Sequence, residues 1–159
     1  MRIMGIDPGA SGAFSLIVDN QLIYAEDMPT LNLRVGKRDR KRVDGHALAI
    51  EFRSMRPDKI FIESVWAPLG ASSSSAFSFG QSYGVILGCI DALQIPYTLV
   101  TPQRWKKDMS VTSAKESSLA RAKQLWPEHA GDLFKLKKNE ARAEAALIAQ
   151  WGQWNTSGE

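Results

Sequence analysis

MRIMGIDPGASGAF, residues 1–14, decides how the rest of the chain is read. The apolar positions Ile3, Met4 and Ile6 deliver Asp7 into a Pro8-Gly9 turn that closes at Gly12, and a second apolar run, 13–18, follows at once. The pattern is strand, tight turn, returning strand. A carboxylate where a buried strand meets a turn is costly, about 3–5 kcal/mol if its charge stays buried without a partner. It needs a cation, a donor or a proton, and the remaining sequence has to supply one.

Residues 1–7, 11–18 and 21–27 read as three consecutive strands joined by short hairpin connections. Residues 29–42 show no periodicity and read as a basic, mobile loop. Asp44 is placed to cap a helix running to Met55, with Leu48, Phe52 and Met55 on one face and Pro57 as its stop. KIFIE, 59–63, is a short apolar strand that, like the first, ends in a carboxylate, Glu63. A Pro-Gly-Ser loop spans 66–75, a helix 76–93 and a strand 96–100. Pro102 opens a short helix over 103–107, Ser113 caps another over 114–126, and a last helix covers 139–154. The order β-β-β-α-β-α-β-α predicts an α/β fold: a mixed five-stranded sheet, an antiparallel meander followed by parallel strands, with helices on both faces. Without repeats or a linker, 1–155 reads as a single domain and 156–159 as a frayed tail.

At 159 residues, 44% hydrophobic and 23% charged, the chain has the composition of an ordinary globular domain. The single cysteine, Cys89, excludes an internal disulfide and a multi-thiolate zinc site, and points to a reducing, cytoplasmic setting. No segment is long and apolar enough for a membrane span, and no signal peptide is expected. The net charge of +3 says little, but its distribution says more. Residues 34–42 carry six positive charges and one negative, among them Arg38, Arg40, Lys41 and Arg42. Arg104, Lys106 and Lys107 surround Trp105, and Lys135, Lys137 and Lys138 form a third cluster. Solvated loops are the plain alternative for any one cluster, but clusters set between apolar elements, and three of them together, point to a polyanion surface.

The acids are placed where structure alone has no use for them. Asp7 and Glu63 end strands. Glu140 and Glu144, four apart, share a helix face that continues through Leu147, Ile148 and Trp151 and so should dock on the sheet. Like charges at that spacing repel by about 0.2–0.5 kcal/mol even on an exposed helix. The plain alternative for Glu144 is a surface pair with Arg142 or Lys138. Carboxylates converging from two strand ends and a helix face suit hard cations of the Mg²⁺ type. Two such ions about 4 Å apart can activate a water and stabilise the leaving oxygen of a phosphodiester. Scarce histidines (His46 and His129) argue against zinc, and no Ser-His-Asp set is evident.

GIDPGASGA, then ESVW with a Ser-rich loop and FGQSYGVILG, then TPQRWKK, the Ser-Ala-Lys-Glu helix start and ARAEAALIAQW follow in order through nearly the whole chain. Together they resemble the RuvC-like Holliday junction resolvases of the RNase H-like superfamily, in a flavour similar to the phage-type and organellar branch. The resemblance implies an RNase H-like sheet and a homodimer that resolves four-way DNA junctions by paired symmetric nicks. It also implies Mg²⁺ or Mn²⁺, two ions per site, no nucleotide cofactor and no membrane partner. The setting it implies is cytoplasmic, nucleoid-associated or phage-encoded.

Carried over, Asp7 is the central metal ligand, Glu63 the second, and Glu144 the acid before the Ala-Ala-Leu-Ile-Ala run. Glu140 takes the earlier acidic place, where the family usually has aspartate, in some members three residues away; here that position is Ala141. Lys106 and Lys115 resemble the family's active-site lysines, able to offset charge at the scissile phosphate. Trp66 stands where the family often carries an aromatic wedge, and stacking on an exposed base is worth about 1–3 kcal/mol. Ser72, Ser73 and Ser74 would lie beside it against phosphates. Arg38, Arg40, Lys41, Arg42, Arg104, Lys107, Lys137 and Lys138 would grip the DNA arms. Gly80, Gly84 and Gly88 recur every fourth residue, and serve either close packing on the sheet or a two-fold helix pair. Three other readings compete. The first turn also resembles the phosphate hairpin of actin-like ATPases, for which this chain is too short. The others are a ribonuclease H acting on RNA–DNA hybrids and a non-catalytic binder of branched DNA.

Overall fold

The computed structural model describes residues 1–66, 70–114 and 116–156, position 35 in backbone alone. Its centre is a five-stranded sheet in the order β3-β2-β1-β6-β7. β1 (Arg2–Asp7), β2 (Ala13–Val18) and β3 (Gln21–Asp27) form the antiparallel meander. β6 (Lys59–Glu63) lies parallel to β1, and β7 (Tyr97–Val100) parallel to β6. This is the mixed sheet the sequence predicts.

Strand alternation sorts the core into two layers. Met4, Ile6, Phe14, Leu16, Ile60 and Ile62 face α1 (Gly45–Met55) and α2 (Ser73–Ala92), burying Leu48, Phe52, Ile86 and Ile90. Ile3, Ile17 and Phe61 face the other way, onto α3 (Pro102–Asp108), α4 (Ser117–Leu125) and α5 (Glu140–Thr156). Asp7 is in step with Ile3, and Glu63 with Phe61, so period two sends both carboxylates toward α5. In the parallel register Ile6 pairs with Ile62, which sets Asp7 and Glu63 side by side one residue later.

The Ala-rich face of α5 lies unusually low on the sheet. A Cβ at Gly5 would stand 2.1 Å from the Ala145 carbonyl and 2.4 Å from the Ala149 nitrogen. Ala143, Ala145, Ala146 and Ala149 are all fully buried. Arg142, one alternative partner for Glu144, instead makes a two-pronged bond to Asp27 at 2.7 and 3.1 Å and fixes the start of α5 against the end of β3.

Four local expectations change. Residues 29–42 are a hairpin and not a mobile loop: β4 (Thr30–Val35) pairs with β5 (Arg38–Val43) as a separate two-stranded sheet, turning at Gly36 with φ 62. Leu31 and Leu33 do alternate with polar residues, but the basic run in β5 hides the period. The hairpin rests on α2, where Arg40 donates to Ser78 Oγ at 3.0 Å and to Ser74 Oγ at 2.5 Å. Ser73–Ser75 belong to α2 rather than to a loop, because Ser72 caps the helix by accepting from the Ser75 N–H at 3.2 Å. The helix expected from 114 begins at Ser117, whose hydroxyl instead bonds the Thr112 backbone. α5 runs on through Thr156, which donates to the Gly152 carbonyl at 2.8 Å. Asp44 caps α1 as expected, accepting from the His46 and Ala47 N–H groups.

Candidate active site

Asp7, Glu63 and Glu144 each offer a carboxylate oxygen, and the three oxygens lie within 4.8 Å of one another. Glu63 is 8% exposed, and Asp7 and Glu144 are half-buried. Burial, then Glu144 and Glu63, hold the Asp7 carboxyl well above the usual carboxylate range, and Glu140 adds to the effect. Burial also raises Glu63, joined by Glu144, while the indole of Trp105 pulls the other way. Three acids this close resist shared ionisation, which is the condition a divalent cation relieves. The donor set, all hard oxygens, fits Mg²⁺ or Mn²⁺.

Glu140 is one turn earlier on α5 and lies outside that group of three. It lines a cavity of about 290 Å³ with Asp7, Ser11, Lys137, Lys138 and Glu144. A neighbouring cavity of about 340 Å³ shares Asp7 and Ser11 and is walled by Lys41, Ser78, Phe79 and Ser82. Asp7 therefore stands where the two cavities adjoin, with Lys41 in the wall of one and Glu140, Glu144, Lys137 and Lys138 in the wall of the other.

Lys106 enters from α3. Its Nζ is 3.0 Å from Glu144 Oε1 and 5.1 Å from the Trp105 ring centroid. Burial works against its charge, but the hydrogen bond to Glu144 and the field of the three acids outweigh it and raise its pKa. Lys115, the other expected lysine, lies outside the described residues.

The remaining expected contacts divide. Trp66 is 87% exposed, so it is not a core residue. Arg38 and Lys107 are exposed, and Arg40 is bound to α2 as above. Arg42 keeps a buried Nε without a hydrogen-bond partner among the described residues. Arg104 lies over the Trp151 ring at 5.2 Å, and Lys137 pairs with Glu116 at 2.7 Å. Among the described residues, the Gly80, Gly84 and Gly88 face opens on nothing within 4 Å, so it does not pack on the sheet. A Cβ at Gly12 would stand 2.1 Å from the Asp7 carbonyl, so this glycine serves the turn itself.

Two residues were not foreseen. Trp105, fully buried, donates its indole N–H to Glu63 Oε2 at 2.7 Å, and Ser118 donates to Glu144 Oε1 at 3.0 Å. The only sequence signal for the first is that Pro102, Trp105 and Met109 make an apolar stripe, and a buried indole must find an acceptor. For Ser118 no signal exists.

Among solved structures, RuvC of T. thermophilus in complex with a Holliday junction substrate aligns with TM-score 0.67 and 19% identity, over 99% of this chain and 96% of that one. This chain has the RuvC resolvase fold. The RuvC-like sheet and helices also align with the fowlpox virus resolvase in its complex with Holliday junction DNA (TM-score 0.55, 14% identity, 98% and 99% covered). The yeast mitochondrial Holliday junction resolvase Ydc2 gives TM-score 0.52 and 16% identity over 98% and 79%. In sequence, the chain is 33% identical over 84 residues to the chloroplastic Holliday junction resolvase MOC1 of Chlamydomonas reinhardtii. That match takes in 52% of this chain and spans 9% of that protein's length. No family model matches the chain.

Proposed function

We propose that this RuvC-like chain is a divalent-metal-dependent, structure-selective DNA endonuclease that resolves four-way junctions by paired symmetric hydrolysis, acting as a homodimer. The observation that carries the reading is the Asp7, Glu63 and Glu144 group within 4.8 Å, with Lys106 against it. Its support from likeness is the shared fold and the partial match to MOC1. One domain over 1–155 and a cytoplasmic, nucleoid or phage-encoded setting belong to the same proposal.

Asp7 from β1, Glu63 from β6 and Glu144 from α5 would hold the cation, with Glu140 at the edge of the cleft serving a second. Bound Mg²⁺ or Mn²⁺ supplies the positive charge that makes water a better nucleophile and the 3′-oxygen a better leaving group. The chain supplies the rest. Lys106 presents an ammonium where charge builds on the phosphate, and Lys115 is assigned the same task. Lys41, Lys137 and Lys138 flank the acids and hold the backbone phosphates, helped by Arg38, Arg42, Arg104 and Lys107, while Arg40 and Ser72–Ser74 order the face of α2. Trp66, already exposed, stacks on an unpaired base at the junction centre. Two identical cuts need two identical sites, and the open glycine face of α2, beside the 68% exposed Phe77, is the surface assigned to the two-fold contact.

The test is cleavage of a synthetic four-way junction, a linear duplex and an RNA–DNA hybrid under Mg²⁺. Selective nicking of the junction supports the proposal. Preference for the hybrid would make the chain a ribonuclease H, and binding without cutting a passive junction binder.

A further inference from the structure

α3 is seven residues long, yet it reaches both halves of the acid group. Trp105 donates to Glu63 Oε2 on the sheet, and the next residue, Lys106, bonds Glu144 Oε1 on α5. At the end of α3, Asp108 accepts from the Trp151 indole at 2.8 Å, which ties the helix to α5 a second time.

We propose that Trp105 is a positioning residue for metal binding, its indole N–H fixing Glu63 so that the second carboxylate oxygen is presented to the cation beside Asp7. The inference rests on the metal reading above. Its chemistry is specific to an indole. The ring is fully buried and the carboxylate nearly so, and the bond at 2.7 Å is short for a neutral donor on an anion. Trp offers one donor and no acceptor, so toward Glu63 it can only donate to a carboxylate oxygen, and it carries no charge to oppose an incoming cation. Lys106 differs: its ammonium competes with a metal for Glu144. The two neighbours thus divide the work, one orienting a ligand and one standing in for the cation. Outer-shell partners of this kind change metal affinity by about 10–100-fold when removed.

The experiment is a Mn²⁺ titration of the DNA-free protein, read by the loss of the free-ion electron paramagnetic resonance signal. It compares wild type, Trp105→Phe and Trp126→Phe, the last removing a buried indole away from the acids. Trp105→Phe should weaken Mn²⁺ binding by about tenfold or more while Trp126→Phe leaves it unchanged. In cleavage assays, the Mg²⁺ concentration for half-maximal rate should rise by the same factor at unchanged junction KM. Because phenylalanine also leaves a cavity, a second protein carries benzothienylalanine at position 105, which keeps the bicyclic shape and replaces the N–H by sulfur. It should show the same loss at a wild-type Tm. Wild-type Mn²⁺ affinity in the benzothienylalanine protein overturns the inference alone. A wild-type chain that binds no Mn²⁺ overturns the metal reading, and this inference with it.

Discussion

Lys106 Nζ stands 3.0 Å from Glu144 Oε1, the same oxygen that accepts the Ser118 hydroxyl. The lysine answers a charge that the acids cannot neutralise among themselves. Replacing it with methionine keeps most of the stem and removes the charge. Lys106→Met should bind Mn²⁺ at least as tightly as wild type, because a competing cation is gone. Its cleavage rate at saturating metal should fall about 10²-fold, the usual loss when a donor to developing negative charge is removed. Single-turnover kinetics at saturating Mg²⁺ separate the two effects.

The pH dependence of stability follows from the same crowding. Burial, Glu144 and Glu63 raise the Asp7 pKa, and burial with Glu144 raises that of Glu63. Both folded values exceed the unfolded ones. The contribution of these groups is therefore intact below the unfolded carboxylate pKa of about 4 and is lost as pH rises through the raised folded values. The Tm gain from adding Mg²⁺ should be larger at about pH 7.5 than at about pH 5. Asp7→Asn should raise the Tm of the metal-free chain by about 2–4 °C, the shift that ~1 kcal/mol gives a protein of this size, and abolish the Mg²⁺ increment. Differential scanning calorimetry with and without Mg²⁺ checks both.

Gly5 sets how low α5 rides on β1. The Cβ of Gly5→Ala would meet the Ala145 and Ala149 backbone, which cannot turn aside as a side chain could. The substitution should cost about 1–3 kcal/mol in urea unfolding, the range for overpacking a tight core. It should cost more in cleavage, because a shift of the helix carries Glu144 away from Asp7 and about 1 Å of misplacement can cost 10²-fold. Loss of stability without any loss of cleavage in the folded fraction would contradict this.

Trp66 is 87% exposed and immediately precedes residues outside the description. Trp66→Ala should leave the unfolding free energy within the ~0.5 kcal/mol of a surface change and leave Mn²⁺ binding untouched. Junction cleavage should fall by about tenfold or more, matching one lost stacking contact of ~1–3 kcal/mol. Equal cleavage by the mutant removes the stacking role.

Much of this site was legible because its acids obey local rules. Asp7 and Glu63 end apolar runs bounded by turn residues, and Glu140 and Glu144 share a helix face by spacing alone. What escaped was tertiary or masked. The β4–β5 hairpin was hidden because nearly every β5 position is charged, so alternation carries no apolar signal; α2 supplies the contact that orders it. The serines before α2 read as loop because serine is a weak helix former, whereas Ser72 acts as a cap. Trp105 and Ser118 reach acids 42 and 26 residues away in sequence, and nothing in their neighbourhoods announces a carboxylate partner.

The most direct test of the central claim compares wild type with Asp7→Asn on one four-way junction, measuring binding by gel shift without metal and nicking after Mg²⁺ is added. The account predicts equal binding, paired nicks with 5′-phosphate ends from wild type, and no cleavage by the mutant. Equal Mg²⁺-dependent nicking by both proteins would contradict it.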